Sequence, residues 1–151
     1  MTTDSGVVLH RIECITSFSN VKEGDIGGWI EREENLSQYG NAWVSGNAEV
    51  YGDARVYGDA QVYGNAEVSG DAVICNSNDY IVFKNNWSSF RYFTWTRSND
   101  IWKVGCFYGT GKDLIEKAYN DSKLSGDCYK AYVELVEKLK DVFEKQQQKH
   151  K

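Results

Sequence analysis

The chain has 151 residues, a net charge of −5, 41% apolar and 14% aromatic residues, and no Pro beside 14 Gly. That length fits one compact domain or two small ones. The negative balance excludes general affinity for nucleic acid or anionic membrane but leaves room for a local basic patch, and no apolar run is long enough to cross a bilayer.

The opening segment, MTTDSGVVLHRIEC, lacks the basic and apolar regions of a signal peptide. Cys14, Cys75, Cys106 and Cys128 stand singly, without a C-x-x-C pair. They read as reduced thiols of a cytoplasmic protein, with no disulfide frame, zinc site or cofactor expected. Residues 7–15, VVLHRIECI, suit a strand. Residues 21–38 lead into a repetitive segment that begins at Tyr39. Gly27-Gly28 reads as a sharp entry with Trp29 as a lid, and Asn35 and Leu36 as the Asn and Ala of a degenerate first repeat.

From Tyr39 to Ile74 the chain is six hexapeptides in unbroken register: YGNAWV SGNAEV YGDARV YGDAQV YGNAEV SGDAVI. A fixed period of this kind marks a solenoid. Each Val starts a short extended run and points inward. The Ala four places on is the second inward position, small because the walls converge there. Gly with Asn or Asp between them suits the corner, where positive φ is needed.

This pattern resembles the hexapeptide repeat of left-handed parallel β-helices, in which three hexapeptides make a triangular coil of 18 residues. The resemblance implies two to three coils, with Tyr39 over Tyr57, Trp43 over Gln61, Asn41 over Asp59, Glu49 over Glu67 and Asp53 over Asp71. The last two are like-charge pairs at strand spacing, about 4.8 Å, where like charges repel. They read as solvated and screened; the alternative is that the Glu49/Glu67 face meets a basic partner or a cation.

After Ile74 the repeat stops. Strand candidates Tyr80–Lys84, Arg91–Thr96 and Ile101–Phe107, separated by polar turns, suggest an antiparallel meander. Thr110 caps a helix over 111–121, with Asp113 at its N3 position. Ser125 caps a second helix over roughly 126–145, whose apolar stripe needs a sheet or a second subunit to pack on. The tail QQQKHK is expected to fray. The expected architecture is therefore a short left-handed β-solenoid of two to three coils with a C-terminal α+β subdomain. The divisions are 1–38 for the N-terminal strand and cap, 39–74 for the solenoid, and 75–151 for the subdomain.

Charge is uneven. Residues 39–74 hold five acidic residues against Arg55, whereas 80–108 hold Lys84, Arg91, Arg97 and Lys103 against Asp100. An acidic solenoid thus precedes a basic, aromatic-rich middle containing Trp87, Trp95 and Trp102. Such a sheet can clamp a nucleotide or a single strand, although an aromatic stripe also serves as packing. Candidate binding residues are Arg91, Trp95, Arg97, Trp87, Glu49 and Glu67.

The best-known hexapeptide proteins are acyltransferases that use many coils and a His near them. Here the histidines are His10, in the first strand, and His150, in the tail. His10 with Cys14 makes no nucleophile pair without an orienting group. The run from Ile26 to Val56 also looks like small hexapeptide proteins of phage and prophage genomes. The expectation is a non-catalytic binding protein, an anti-CRISPR-like inhibitor of a bacterial defence complex, with a bacterial protein as partner and a homo-dimer as its assembly. Nucleotide binding and acyl transfer are the alternatives.

Overall fold

The computed structural model describes residues 1–3 and 5–149, without the side chains of 147–149. The chain divides into two compact units, Met1–Tyr108 and Gly109–Lys151. The meander thus belongs with the solenoid, whereas sequence grouping placed all of 75–151 together.

In the first unit the six repeats form six two-residue strands. They are β3 (Trp43–Val44), β4 (Glu49–Val50), β5 (Arg55–Val56), β6 (Gln61–Val62), β7 (Glu67–Val68) and β8 (Val73–Ile74), preceded by β1 (His10–Glu13) and β2 (Ile26–Ile30). Pairing is parallel at a spacing of 18 residues: Trp43 with Gln61, Glu49 with Glu67, Arg55 with Val73. The result is solenoid-like: separate small parallel ladders, one per wall, not one closed sheet.

The repeat explains this directly. Val44, Val50, Val56, Val62, Val68 and Ile74 are fully buried, as are Ala48, Ala60, Ala66 and Ala72. Burying one Val stabilises by roughly 1.5–3 kcal/mol. The six repeat glycines have φ between +62° and +73°, so each corner uses the left-handed region that Gly reaches without strain.

Both members of the expected Asp53/Asp71 pair have a partner of their own. Asn99 Nδ2 donates to Asp71 at 2.9 Å, and Arg32 lies 3.8 Å from Asp53. Asn41 donates to Asp59, and Asn47 to Asn65, along two corners.

The first coil departs from the expected register. Trp29 pairs with Glu49, and Leu36 with Val56, twenty residues on, whereas Trp43 pairs with Gln61, eighteen on. Two extra residues therefore lie between Leu36 and Val44. Leu36 occupies the Val position, not the Ala position. Asn35 is buried: its Oδ1 accepts from the N–H groups of Glu31 and Arg32, and its Nδ2 donates to Gly52 O and Ala54 O.

Gly27 and Gly28 are not a sharp entry; they lie inside β2. A Cβ on Gly28 would stand 2.7 Å from Ala48 O and from Val44 Cγ1, so only Gly fits that approach. Trp29 is half-buried and outward-facing in its strand, with the Arg11 guanidinium 5.1 Å from its ring centroid. The lid role falls instead to Ile12, Cys14, Phe18 and Val21, which pack on the core. Phe18 meets Trp43 edge-on at 5.7 Å.

At the other end, β9 (Tyr80–Lys84), β10 (Tyr92–Thr96), β11 (Ile101–Val104) and β12 (Phe107–Gly109) form an antiparallel sheet in the order β12-β11-β10-β9. The fourth strand was not expected. This sheet and its β10–β11 turn supply one hydroxyl to the backbone of each wall of the last coil. Tyr80 OH accepts from Tyr63 N and donates to Gln61 O. Thr94 Oγ1 accepts from Glu67 N, and Ser98 Oγ from Val73 N. Asp79 Oδ2 accepts from the N–H groups of Cys75 and Asn76.

In the second unit, α1 (Gly111–Asp121) begins as expected, with Thr110 Oγ1 accepting from Asp113 N. Helix α2 (Lys123–Lys149) starts earlier than expected, because Ser122, not Ser125, supplies the capping oxygen; Ser125 N donates to Ser122 Oγ. The helix continues through most of the tail expected to fray, and His150 lies outside the described residues. No described helix is long and apolar enough to cross a membrane.

Candidate functional site

Arg11, Trp29, Glu49 and Glu67 form a continuous row across β1, β2, β4 and β7, each directly paired with the next. Outward positions of the repeat thus put two carboxylates side by side on one wall. Below Glu67 the meander begins, fixed there by Thr94. Alternation along β10 sends Thr94 towards the coil, and Arg91 and Tyr92 reach the rim beside it. The acidic wall and the basic sheet both contribute to a cleft of about 360 Å³, lined by Glu49, Glu67 and Tyr51 of the solenoid and by Arg91, Tyr92 and Lys103 of the meander.

Around this centre the cleft is polar. Asn47 and Asn65 stand at the corner, Thr2 and Thr3 come from the N-terminal arm, and Cys106 lies at the turn after β11. Lys103 Nζ donates to Gly105 O at 2.6 Å, which holds the ammonium at the rim. Tyr51 is buried, and its phenol is pushed well above its ordinary value. Burial is the main cause, with the Glu67 charge next and Glu49 adding to it; the Ser69 hydroxyl acts the other way. At neutral pH Tyr51 is therefore a neutral phenol beside two carboxylates.

Of the residues expected to bind, Glu49, Glu67 and Arg91 come together here. The others do not. Trp95 is fully buried, its Nε1 donating to Asp100 at 2.8 Å, so its ring offers no face for stacking. Trp87 meets Phe93 edge-on at 6.5 Å. Phe83, Phe93 and Trp102 pack ring against ring with centroids 5.5–6.1 Å apart, so these aromatics pack on one another. Arg97 Nη1 lies 3.9 Å from Asp79, and Arg97 N donates to Asp79 O, so this residue secures the end of the solenoid.

Sequence reasoning passed over Lys103 and Tyr51. Lys103 was visible as one of four cations in a segment, but only the pairing of Thr94 with Lys103 brings it to this side of the sheet. A second cavity, of about 510 Å³, lies at the lid end among Ile12, Phe18, Ile30, Leu36 and Trp43. It is larger but carries no comparable set of opposed charges. Among the described residues no cluster of His, Cys, Asp and Glu could hold a metal ion.

A solenoid of this repeat has known counterparts. Residues 60–76 match the family model described as YdcK Beta solenoid repeat. The chain is also similar to the "Uncharacterized acetyltransferase YdcK" of Escherichia coli (strain K12), 45% identical over 42 residues. That stretch is 28% of this chain and 13% of the relative, so the chain spans only a small part of that protein's length. The likeness covers the repeat segment and is to a β-solenoid repeat of the hexapeptide type.

Proposed function

We propose that this protein is a non-catalytic binding module on an acetyltransferase-related solenoid, whose cleft takes a small dipolar ligand bearing both an ammonium and a carboxylate or phosphate. One observation carries the reading: Glu49 and Glu67, from the solenoid wall, line the same cleft as Arg91 and Lys103, from the meander. Stacked carboxylates suit an ammonium, and a guanidinium suits a carboxylate or phosphate through two parallel hydrogen bonds. The coil that carries the carboxylates reads as a left-handed β-helix of two full turns, which the period of 18 and the positive-φ corner glycines support. Nothing in the cleft or in the solenoid likeness supports an antagonist of a defence system.

The YdcK likeness favours acyl transfer as a second reading. Under it, Glu49 or Glu67 takes the proton of an acceptor amine. No described histidine lines the cleft, and His10 is exposed on β1.

Isothermal titration of the full chain with a panel of free amino acids and with acetyl-CoA separates the two. The binding reading expects an amino acid to bind, with Arg91→Ala and Glu67→Gln each abolishing the heat while circular dichroism stays native. Micromolar binding of acetyl-CoA, with no response to any amino acid, would overturn it in favour of acyl transfer.

A further inference from the structure

A third cavity, of about 390 Å³, is lined by Tyr63 and Asn65 of the last coil and by Tyr80, Ile81, Val82 and Tyr92 of the meander. No residue lining it is charged. Asn65 and Tyr92 also line the charged cleft, so the two cavities adjoin at this pair. Tyr63 and Tyr92 are 59% and 43% exposed, whereas Tyr80 is buried and meets Tyr63 edge-on at 6.3 Å. The Tyr80 hydroxyl is committed, accepting from Tyr63 N and donating to Gln61 O, so Tyr80 offers its ring alone. Lys84 Nζ lies 5.5 Å from the Tyr92 ring centroid but is not among the lining residues.

We infer that this cavity is the side-chain subsite of the cleft, and that the dipolar ligand is an amino acid with an aromatic side chain. The inference rests on the binding reading of the cleft and adds the part of the ligand that the charges leave undefined. An amino acid carries its ammonium, carboxylate and side chain on one carbon, so a charged cleft and a side-chain subsite must be neighbours. The uncharged lining selects the side chain. An acidic or basic one would lose its water there without gaining a counter-charge. An aromatic ring can pack edge-on or offset against the tyrosine rings, and Ile81 and Val82 add apolar surface. The bond from Tyr63 N to Tyr80 OH fixes this wall before any ligand arrives.

The test is isothermal titration of the full chain with phenylalanine, alanine, glutamate and 3-phenylpropionate. Phenylalanine should bind about tenfold or more tightly than alanine or glutamate. It should exceed 3-phenylpropionate, which keeps the ring and lacks the ammonium, by a similar factor. Tyr63→Ser should bring phenylalanine down to the affinity of alanine. Ser holds the same repeat position at 45 and 69, so this variant keeps the repeat chemistry, and circular dichroism checks its fold. If phenylalanine binds no tighter than alanine, or Tyr63→Ser leaves their difference intact, the inference is overturned while the dipolar reading of the cleft stands. Equal binding of 3-phenylpropionate and phenylalanine also overturns it, because the ring would then bind apart from the charges. No response to any amino acid overturns both readings.

Discussion

Thr94 Oγ1 accepts the backbone N–H of Glu67 at 2.9 Å, joining the meander to the wall that carries the paired carboxylates. Thr94 is buried. Thr94→Val keeps the shape and removes the acceptor, leaving the N–H without its partner. Urea unfolding should show a loss of about 1–3 kcal/mol, and Thr94→Ser should recover most of it. A Val variant as stable as the parent would mean that water replaces the hydroxyl.

Two glycines should fail for different reasons. Gly28→Ala drives a Cβ against Ala48 O and Val44 Cγ1, and neither β2 nor the first coil has slack. It should cost about 3 kcal/mol or more through overpacking. Gly64 has φ +68° and nothing within 4 Å of an added Cβ, so Gly64→Ala should cost only the left-handed strain, about 1–2 kcal/mol. Thermal unfolding of the two variants would rank them.

Asn35 satisfies four backbone groups within the first, irregular coil. Asn35→Asp keeps the two acceptor bonds but turns a carboxylate oxygen towards Gly52 O and Ala54 O. The loss should be about 2–4 kcal/mol at neutral pH, shrinking at low pH as the carboxyl gains a proton and can donate again. Denaturant midpoints near neutral pH and in mild acid measure this reversal.

The alkaline limb of stability has a source in Tyr80. Burial pushes its phenol up to about 12, while a tyrosine in the unfolded chain releases its proton near 10. Below 10 both states hold the proton and there is no effect. Between 10 and about 12 the unfolded chain binds fewer protons, so stability falls as pH rises. Tyr51, raised in the same direction, adds to the decline. Absorbance titration near 295 nm should find two phenols that ionise last, and Tyr80→Phe should make the fall in urea midpoint shallower.

Ala60 is fully buried at a point where the walls converge. Ala60→Leu should cost about 1–3 kcal/mol or more, read as a lower melting temperature. An unchanged melting temperature would mean that the core has space at that corner.

Much of the solenoid is legible in its hexapeptides, because the rules there are local. Val and Ala positions, corner glycines and the 18-residue stacking all follow from six-residue chemistry. The first coil is not legible to the same degree. Gly27-Gly28 looks like a turn, yet a glycine in a strand can also mark close approach of another backbone, and only the fold distinguishes the two. The cleft was half visible, as an acidic segment followed by a basic one. Its assembly depends on bonds such as Glu67 N to Thr94, 27 residues apart, that no short-range pattern announces. Trp95 misled for a related reason: beside Arg91 and Arg97 it suggested a stacking platform, but its partners are Asp100 and the strand-mate Trp102.

The three hydroxyls of Tyr80, Thr94 and Ser98 also bear on polymerisation. Stacked parallel coils are templates: each leaves a row of backbone groups on which a further strand can add, within one molecule or from the next. Here Tyr63, Glu67 and Val73, one on each wall, already donate to a side chain of the meander. A hydroxyl bonds one or two backbone groups and carries no repeating row of its own, so it offers no continuing ladder where a strand would. The meander thus occupies, on each wall of the last coil, a backbone donor that a further strand would need.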